Sequence, residues 1–237
     1  MNWESRRQSW DERWGAAIAQ VAERAMEGAD PGHGIEHVQR VVQNAIQLSR
    51  NTDARWEIVL PAAWLHDCVS VPKNSPQRAM ASRLAAAKSL ELLDSLDYPP
   101  DWRQPIAHCI EAHSFSAGIP CQTLEARIVQ DADRLEALGA IGISRCLMTG
   151  GAMGQRLYEP SEPFPVHRPP KDTEQSIDHF FAKLLGLSGT MQTEAGRREA
   201  VERTDFLVTF LEQLGTEIGS DREALQSAIA HAREKGK

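Results

Sequence analysis

The sequence predicts an all-α protein, and three observations predict it. Apolar residues recur at helical spacing in segment after segment, no run alternates apolar and polar residues over strand length, and glycine or proline punctuates several of the breaks. With 237 residues and 41% hydrophobic content the chain can bury a sizeable core, and its length predicts one domain over 1–237. No internal repeat is visible.

From Trp10 to Met26 the residues Trp14, Ala17, Ile18, Val21 and Ala22 follow a helical period, and Gly28 can end that helix. Ala29 to Gly32 is a turn. The next helix carries an apolar stripe of Ile35, Val38, Val41, Val42, Ala45 and Leu48, with His37 beside it at the rim of the core. Arg55 to Val69 is again helical, and Pro61 is expected to start a new turn or a kink, since it cannot donate the bond that a helix interior needs. A loop over 71–76 leads to the Ala- and Leu-rich helix Gln77 to Leu96. Tyr98-Pro99-Pro100 breaks the chain before the helix Gln104 to His113. Thr123 to Leu138 and Ala140 to Met148 are two helical pieces, separated or kinked near Gly139. Gly150 to Asp172 is dense in glycine and proline and predicts an excursion without regular structure, a functional or mobile loop rather than a plain connector. Helices follow over Thr173 to Leu187, Gly196 to Leu214 and Asp221 to Glu234, the last capped by Ser220 or Asp221.

The formal charge of −7 argues against binding to nucleic acid polymers or anionic membranes through a general positive field. The four cysteines, Cys68, Cys109, Cys121 and Cys146, form no Cys-x-x-Cys pair and read as reduced thiols. The charged N-terminus leads into no apolar stretch of signal-peptide or membrane-spanning length. A cytoplasmic protein with neither export nor anchoring is expected.

Within this frame Ala62 to Ser70, Ala-Ala-Trp-Leu-His-Asp-Cys-Val-Ser, places adjacent His66 and Asp67 in an apolar, buried-looking segment. Such a pair needs hydrogen-bond partners or a cation. His37 lies upstream, and Asp131 and Asp133 lie downstream on opposite sides of the apolar ridge Ile128, Ala132, Leu135, so periodicity alone does not choose between them. Two imidazoles and two carboxylates converging from three helices suit a divalent ion such as Mn, Fe, Co, Ni or Zn, and suit Mg less well.

The histidine, the His-Asp pair and the later Asp in Ala132-Asp133-Arg134-Leu135 resemble the HD-domain phosphohydrolase superfamily, closest to a small group of stand-alone bacterial HD hydrolases. The resemblance extends to His33-Gly34-Ile35-Glu36-His37, Pro72 to Arg78, Ala112 to Ser116, Val129 to Gly139, and Asp178-His179-Phe180 with Lys183-Leu184-Leu185. It covers roughly 12–215 as the core of an HD-type helical bundle, leaving 216–237 as a C-terminal helix. It implies His37, His66, Asp67 and Asp133 as metal ligands, with Mn the first candidate, and leaves Asp131 as an acceptor that orients a histidine or lysine.

In such a site the ion would acidify water and polarise a phosphoryl oxygen, with Asp67, Lys73 and His113 taking part in catalysis. Lys73 and Arg78 follow the His-Asp pair and are expected to hold an anionic substrate, together with His33, His113, His179 and Lys183. The expected substrate is a small phosphorylated metabolite, a (deoxy)nucleoside triphosphate cleaved to monophosphate and pyrophosphate, and a homodimer is compatible with this reading. A nucleotide monophosphatase or phosphodiesterase is the nearest alternative. A di-iron oxygenase, which would recruit His108 and His113, and a non-catalytic nucleotide-binding module lie further away.

Overall fold

The structure, a computed structural model, describes residues 3–26, 34–69, 71, 80–114 and 117–234. The expected class holds: the described residues form helices, and their one β-type contact is an isolated bridge between Arg156 and Gln175. The chain divides into two compact units, Met1–Asp133 and Arg134–Lys237.

In the first unit, α1 (Trp3–Trp10) and α2 (Ala16–Ala25) are joined by a π-helical turn over Asp11–Gly15, so the N-terminal helix starts earlier than its apolar period suggests. Helix α3 (Ile35–Leu48) buries Val38, Val41, Val42, Ala45 and Leu48 of the predicted stripe, leaves Ile35 half-buried, and takes His37 inside. Helix α4 (Trp56–Leu65) buries residues all round and packs against α3 and α6. Helix α5 (Ala81–Ser95) packs on α6 (Pro100–His113), and α7 (Leu124–Arg134) completes the unit.

Pro61 does not start a new turn but sits inside α4. A proline there deprives the carbonyl four residues earlier of its helical donor. That carbonyl, on Glu57, instead accepts from the Tyr98 hydroxyl at 2.6 Å, which in turn accepts from Trp10 Nε1 at 3.0 Å. The bond lost to the proline is replaced from the side. Tyr98→Phe removes both interactions in a fully buried position and is expected to cost about 1–3 kcal/mol in urea denaturation, the usual range for leaving a buried polar group bare. A second correction concerns Pro100, which opens α6 four residues ahead of the expected start, because proline is preorganised for the first helical position.

In the second unit, a 3-10 turn over Leu135–Ala137 precedes α8 (Gly139–Ala152), and the expected break falls at Gly139, whose φ of 67° is one that L side chains rarely adopt. Helix α10 (Glu194–Glu217) packs on α8 and on α11 (Arg222–Glu234). Asp221 caps α11 as expected, its Oδ1 accepting from the amides of Glu223 and Ala224.

The helix expected over Thr173 to Leu187 is not formed as such. Arg156 donates to Glu174 O, and the amides of Ser176 and Ile177 donate to the carbonyls of Arg156 and Leu157, so these groups are diverted from a helical ladder. Only α9 (Asp178–Ala182) is α-helical, followed by a 3-10 run over Leu184–Thr190. The Gly/Pro-rich excursion is likewise no loose loop: its first residues complete α8, Phe164 is buried, and Arg168 grips the buried carboxylate of Asp178 with both terminal nitrogens.

Candidate metal centre

Helix ends deliver the side chains of interest. His37 stands in the first turn of α3, His66 and Asp67 follow directly on the end of α4, His113 is the last residue of α6, and Asp133 lies in the last turn of α7. All five fall in the first unit, and the structure brings them together. His37 Nε2 lies 3.4 Å from His66 Nε2 and 3.3 Å from Asp133 Oδ1. His66 Nε2 lies 3.8 Å from Asp133 Oδ1 and 3.7 Å from Asp67 Oδ2, and His37 Nε2 is 4.0 Å from that oxygen. The other oxygen of Asp67 faces His113 Nε2 at 3.7 Å.

These separations fit a shared ion. Donors about 2.1 Å from one ion stand roughly 3.0 Å apart when adjacent and roughly 4.2 Å apart when opposite, which brackets the observed values. Among the described residues, His37, His66 and Asp133 place their ligand atoms mutually within 4.8 Å and could form a metal site. The tautomers agree with this. His66 Nδ1 lies 2.8 Å from Ala63 O and His113 Nδ1 2.6 Å from Ile110 O; a carbonyl only accepts, so Nδ1 carries the proton and Nε2 presents its lone pair to the cluster.

The electrostatics also call for a cation. Burial lowers the pKa of His66 below its ordinary value, outweighing the pull of Asp67 and Asp133. Burial pushes the Asp133 carboxyl upward, but the hydrogen bond from His37 and the neighbouring imidazoles hold it well below the carboxylate range. For Asp67 burial also acts upward, and His66 and His113 reverse it. The C-terminal ends of α4, α6 and α7 add their negative dipole ends to the two carboxylates.

Other expected residues fall elsewhere. His33, Lys73 and Arg78 lie outside the described residues. His108 Nε2 accepts from the backbone amide of Gln122 at 3.2 Å. Asp131 is fully buried two residues before Asp133. In the second unit, His179 Nδ1 and Lys183 Nζ both contact Asp172 Oδ2, at 3.2 and 3.1 Å. None of the four cysteines is in a disulfide among the described residues, two of them are buried, and burial beside Asp67 pushes the Cys68 thiol up to about 12, so it stays protonated.

Asn44 and Gln130 escaped the reading of the sequence. Both are buried amides, and they donate to the carbonyls of Ala132 and Ala112 at 3.1 and 2.7 Å. The available signal was Asn44 two helical turns after His37, a polar residue among the apolar positions of α3.

Comparison with known proteins agrees with the fold. The profile of the HD domain family matches residues 34–138. The uncharacterized protein YpgQ of Bacillus subtilis is 34% identical over 198 residues, 81% of this chain and 88% of that protein. The chain belongs to the HD domain family. Among solved structures, an HD-superfamily hydrolase of Bacillus thuringiensis is 31% identical with a TM-score of 0.68, over 89% of this chain and 99% of that one. The structure of B. subtilis YpgQ in complex with ADP is matched at 28% identity and a TM-score of 0.67, over 85% of this chain and 93% of YpgQ. Among the described residues no helix is long and apolar enough to cross a membrane.

Proposed function

We propose that the protein is a metal-dependent phosphohydrolase of nucleotides, with a (deoxy)nucleoside triphosphate cleaved to monophosphate and pyrophosphate as the preferred reaction. The observation that carries it is the cluster of three imidazoles and two carboxylates with facing donors 3.3–4.0 Å apart. The ADP held by YpgQ supports a nucleotide as the ligand class. Matches that run through both compact units support one HD-type domain over the core, and the reduced thiols support a cytoplasmic location.

His37, His66, Asp67 and Asp133 would hold the ion, Mn being the first candidate. When bound, a divalent ion supplies Lewis acidity, acidifying water and polarising a phosphoryl oxygen. Asp67 divides its two oxygens between that donor set and His113, so it can take up a proton on one side and stabilise an imidazolium on the other. With Nδ1 committed to Ile110 O, His113 donates through Nε2 only in its charged form, which suits an anionic phosphate or a leaving oxygen. His33, Lys73 and Arg78 are proposed to hold the phosphates.

His179 and Lys183 are proposed to reach further phosphates, for which they must leave Asp172. Asp172→Asn weakens that competitor and is expected to lower KM for a triphosphate about two- to fivefold, the scale of one exposed ion pair. An unchanged KM would remove both residues from the phosphate-binding set. The reaction itself is tested by incubating metal-stripped, Mn-reloaded protein with a panel of nucleotides and separating the products by chromatography. Pyrophosphate with monophosphate supports the preferred reaction, orthophosphate alone supports a phosphatase, and no turnover of any nucleotide overturns the proposal.

A further inference from the structure

The cluster is built where three helices stop, and the last carbonyls of a helix have no partner within it. Ala63 O and Ile110 O accept from His66 and His113, members of the cluster. Ala112 O and Ala132 O accept from Gln130 Nε2 and Asn44 Nδ2, amides on neighbouring helices. Each of these two carbonyls immediately precedes a cluster residue, His113 or Asp133.

We propose that Asn44 and Gln130 are positioning residues of the cation site, clamping α7 to α3 and to α6 next to Asp133 and His113. The inference rests on the metal reading above. Asn44 lies two turns beyond His37 on the same face of α3, so its bond to Ala132 O links the helix bearing His37 to the residue beside Asp133. The 3.3 Å between those two ligands is thereby fixed from outside the cluster. Gln130 lies three residues before Asp133, and its bond to Ala112 O ties α7 to the end of α6 beside His113. Amides suit this task because they donate without charge; a lysine or arginine would satisfy the same carbonyls and repel the ion.

Gln130 shows that the link is not there for stability alone. It is 5% exposed, and its Oε1 finds no hydrogen-bond partner among the described residues. A buried acceptor left bare opposes folding, so Gln130→Met gives up one bond and relieves one bare atom, while Ala112 O keeps the Cys121 thiol at 3.8 Å. The folded metal-free protein should tolerate that exchange while the ligand geometry loosens.

The test is a Co(II) titration of metal-free, full-length protein, followed by the visible absorption of the bound ion, for wild type, Asn44→Leu and Gln130→Met. Thermal melting of the metal-free forms is recorded alongside. Each variant is expected to bind Co(II) about tenfold or more weakly, the range for groups that orient ligands, and to show an altered absorption band. Gln130→Met should melt close to wild type without metal. Should Asn44→Leu fail to fold, Asn44→Ser, whose hydroxyl is too short to reach Ala132 O, replaces it in the same titration. An unchanged affinity and band in a folded variant overturns the positioning role of that residue. A wild-type protein that binds no Co(II) instead overturns the metal reading, and this proposal with it.

Discussion

Asp67→Ala is expected to lower nucleotide hydrolysis about a thousandfold or more, because an ion's contribution of several kcal/mol to a phosphoryl transition state corresponds to about three decades at 1.36 kcal/mol each. The substitution removes an oxygen from the donor set around His37 and His66 and, in the same side chain, the carboxylate that faces His113. Both halves of the proposed chemistry lose a member at once. The fold should survive, since the carboxylate is about 30% exposed and stands beside a second carboxylate rather than in the apolar core. Steady-state rates with saturating Mn, set beside melting curves of the metal-free protein, separate the two effects. Activity that survives the substitution would remove Asp67 from the site.

Asp178→Ala is expected to be the most destabilising single change in the second unit, at about 3–5 kcal/mol, the usual cost of breaking a buried ion pair from one side. Asp178 is fully buried, accepts both terminal nitrogens of Arg168 and takes the Lys171 amide at 2.7 Å. Removing it strands a guanidinium that also donates to Glu162 O, and frees the excursion from α9. Replacing both partners, as Arg168→Met with Asp178→Leu, should recover part of the loss because no charge is left unpaired. Urea denaturation of the wild type and the two variants gives the comparison. A loss below about 1 kcal/mol for Asp178→Ala would mean the pair behaves as a surface salt bridge.

What the sequence disclosed and what it hid follow from the reach of the interactions. The stripe of α3, the break at Gly139 and the Asp221 cap are local patterns, and the structure reproduces each. The convergence of His37, His66 and Asp133 was accessible because their buried, partner-seeking chemistry stood out against helical surroundings, and the resemblance chose Asp133 where periodicity left Asp131 open. Pro61 misled because the donor that replaces its missing bond, Tyr98, lies 41 residues beyond Glu57 at the edge of what reads as a mere break. The helix over Thr173 to Leu187 failed for a similar reason, its backbone groups being claimed by Arg156 and Leu157 across the excursion. Asn44 and Gln130 carry no motif, and their meaning lies in which carbonyls they meet.

The central claim is that the cluster is a cation site, and binding of Mn to metal-stripped wild-type and His66→Ala proteins tests it most directly. His66 is the fully buried imidazole whose Nε2 faces His37, Asp67 and Asp133 together. Calorimetry should show Mn binding to the wild type. At a hundredfold excess over Kd it should also stabilise the fold by about 2.7 kcal/mol, and both signals should be lost in His66→Ala. A wild-type protein that binds no Mn, or a His66→Ala variant that binds it undiminished, would contradict the account.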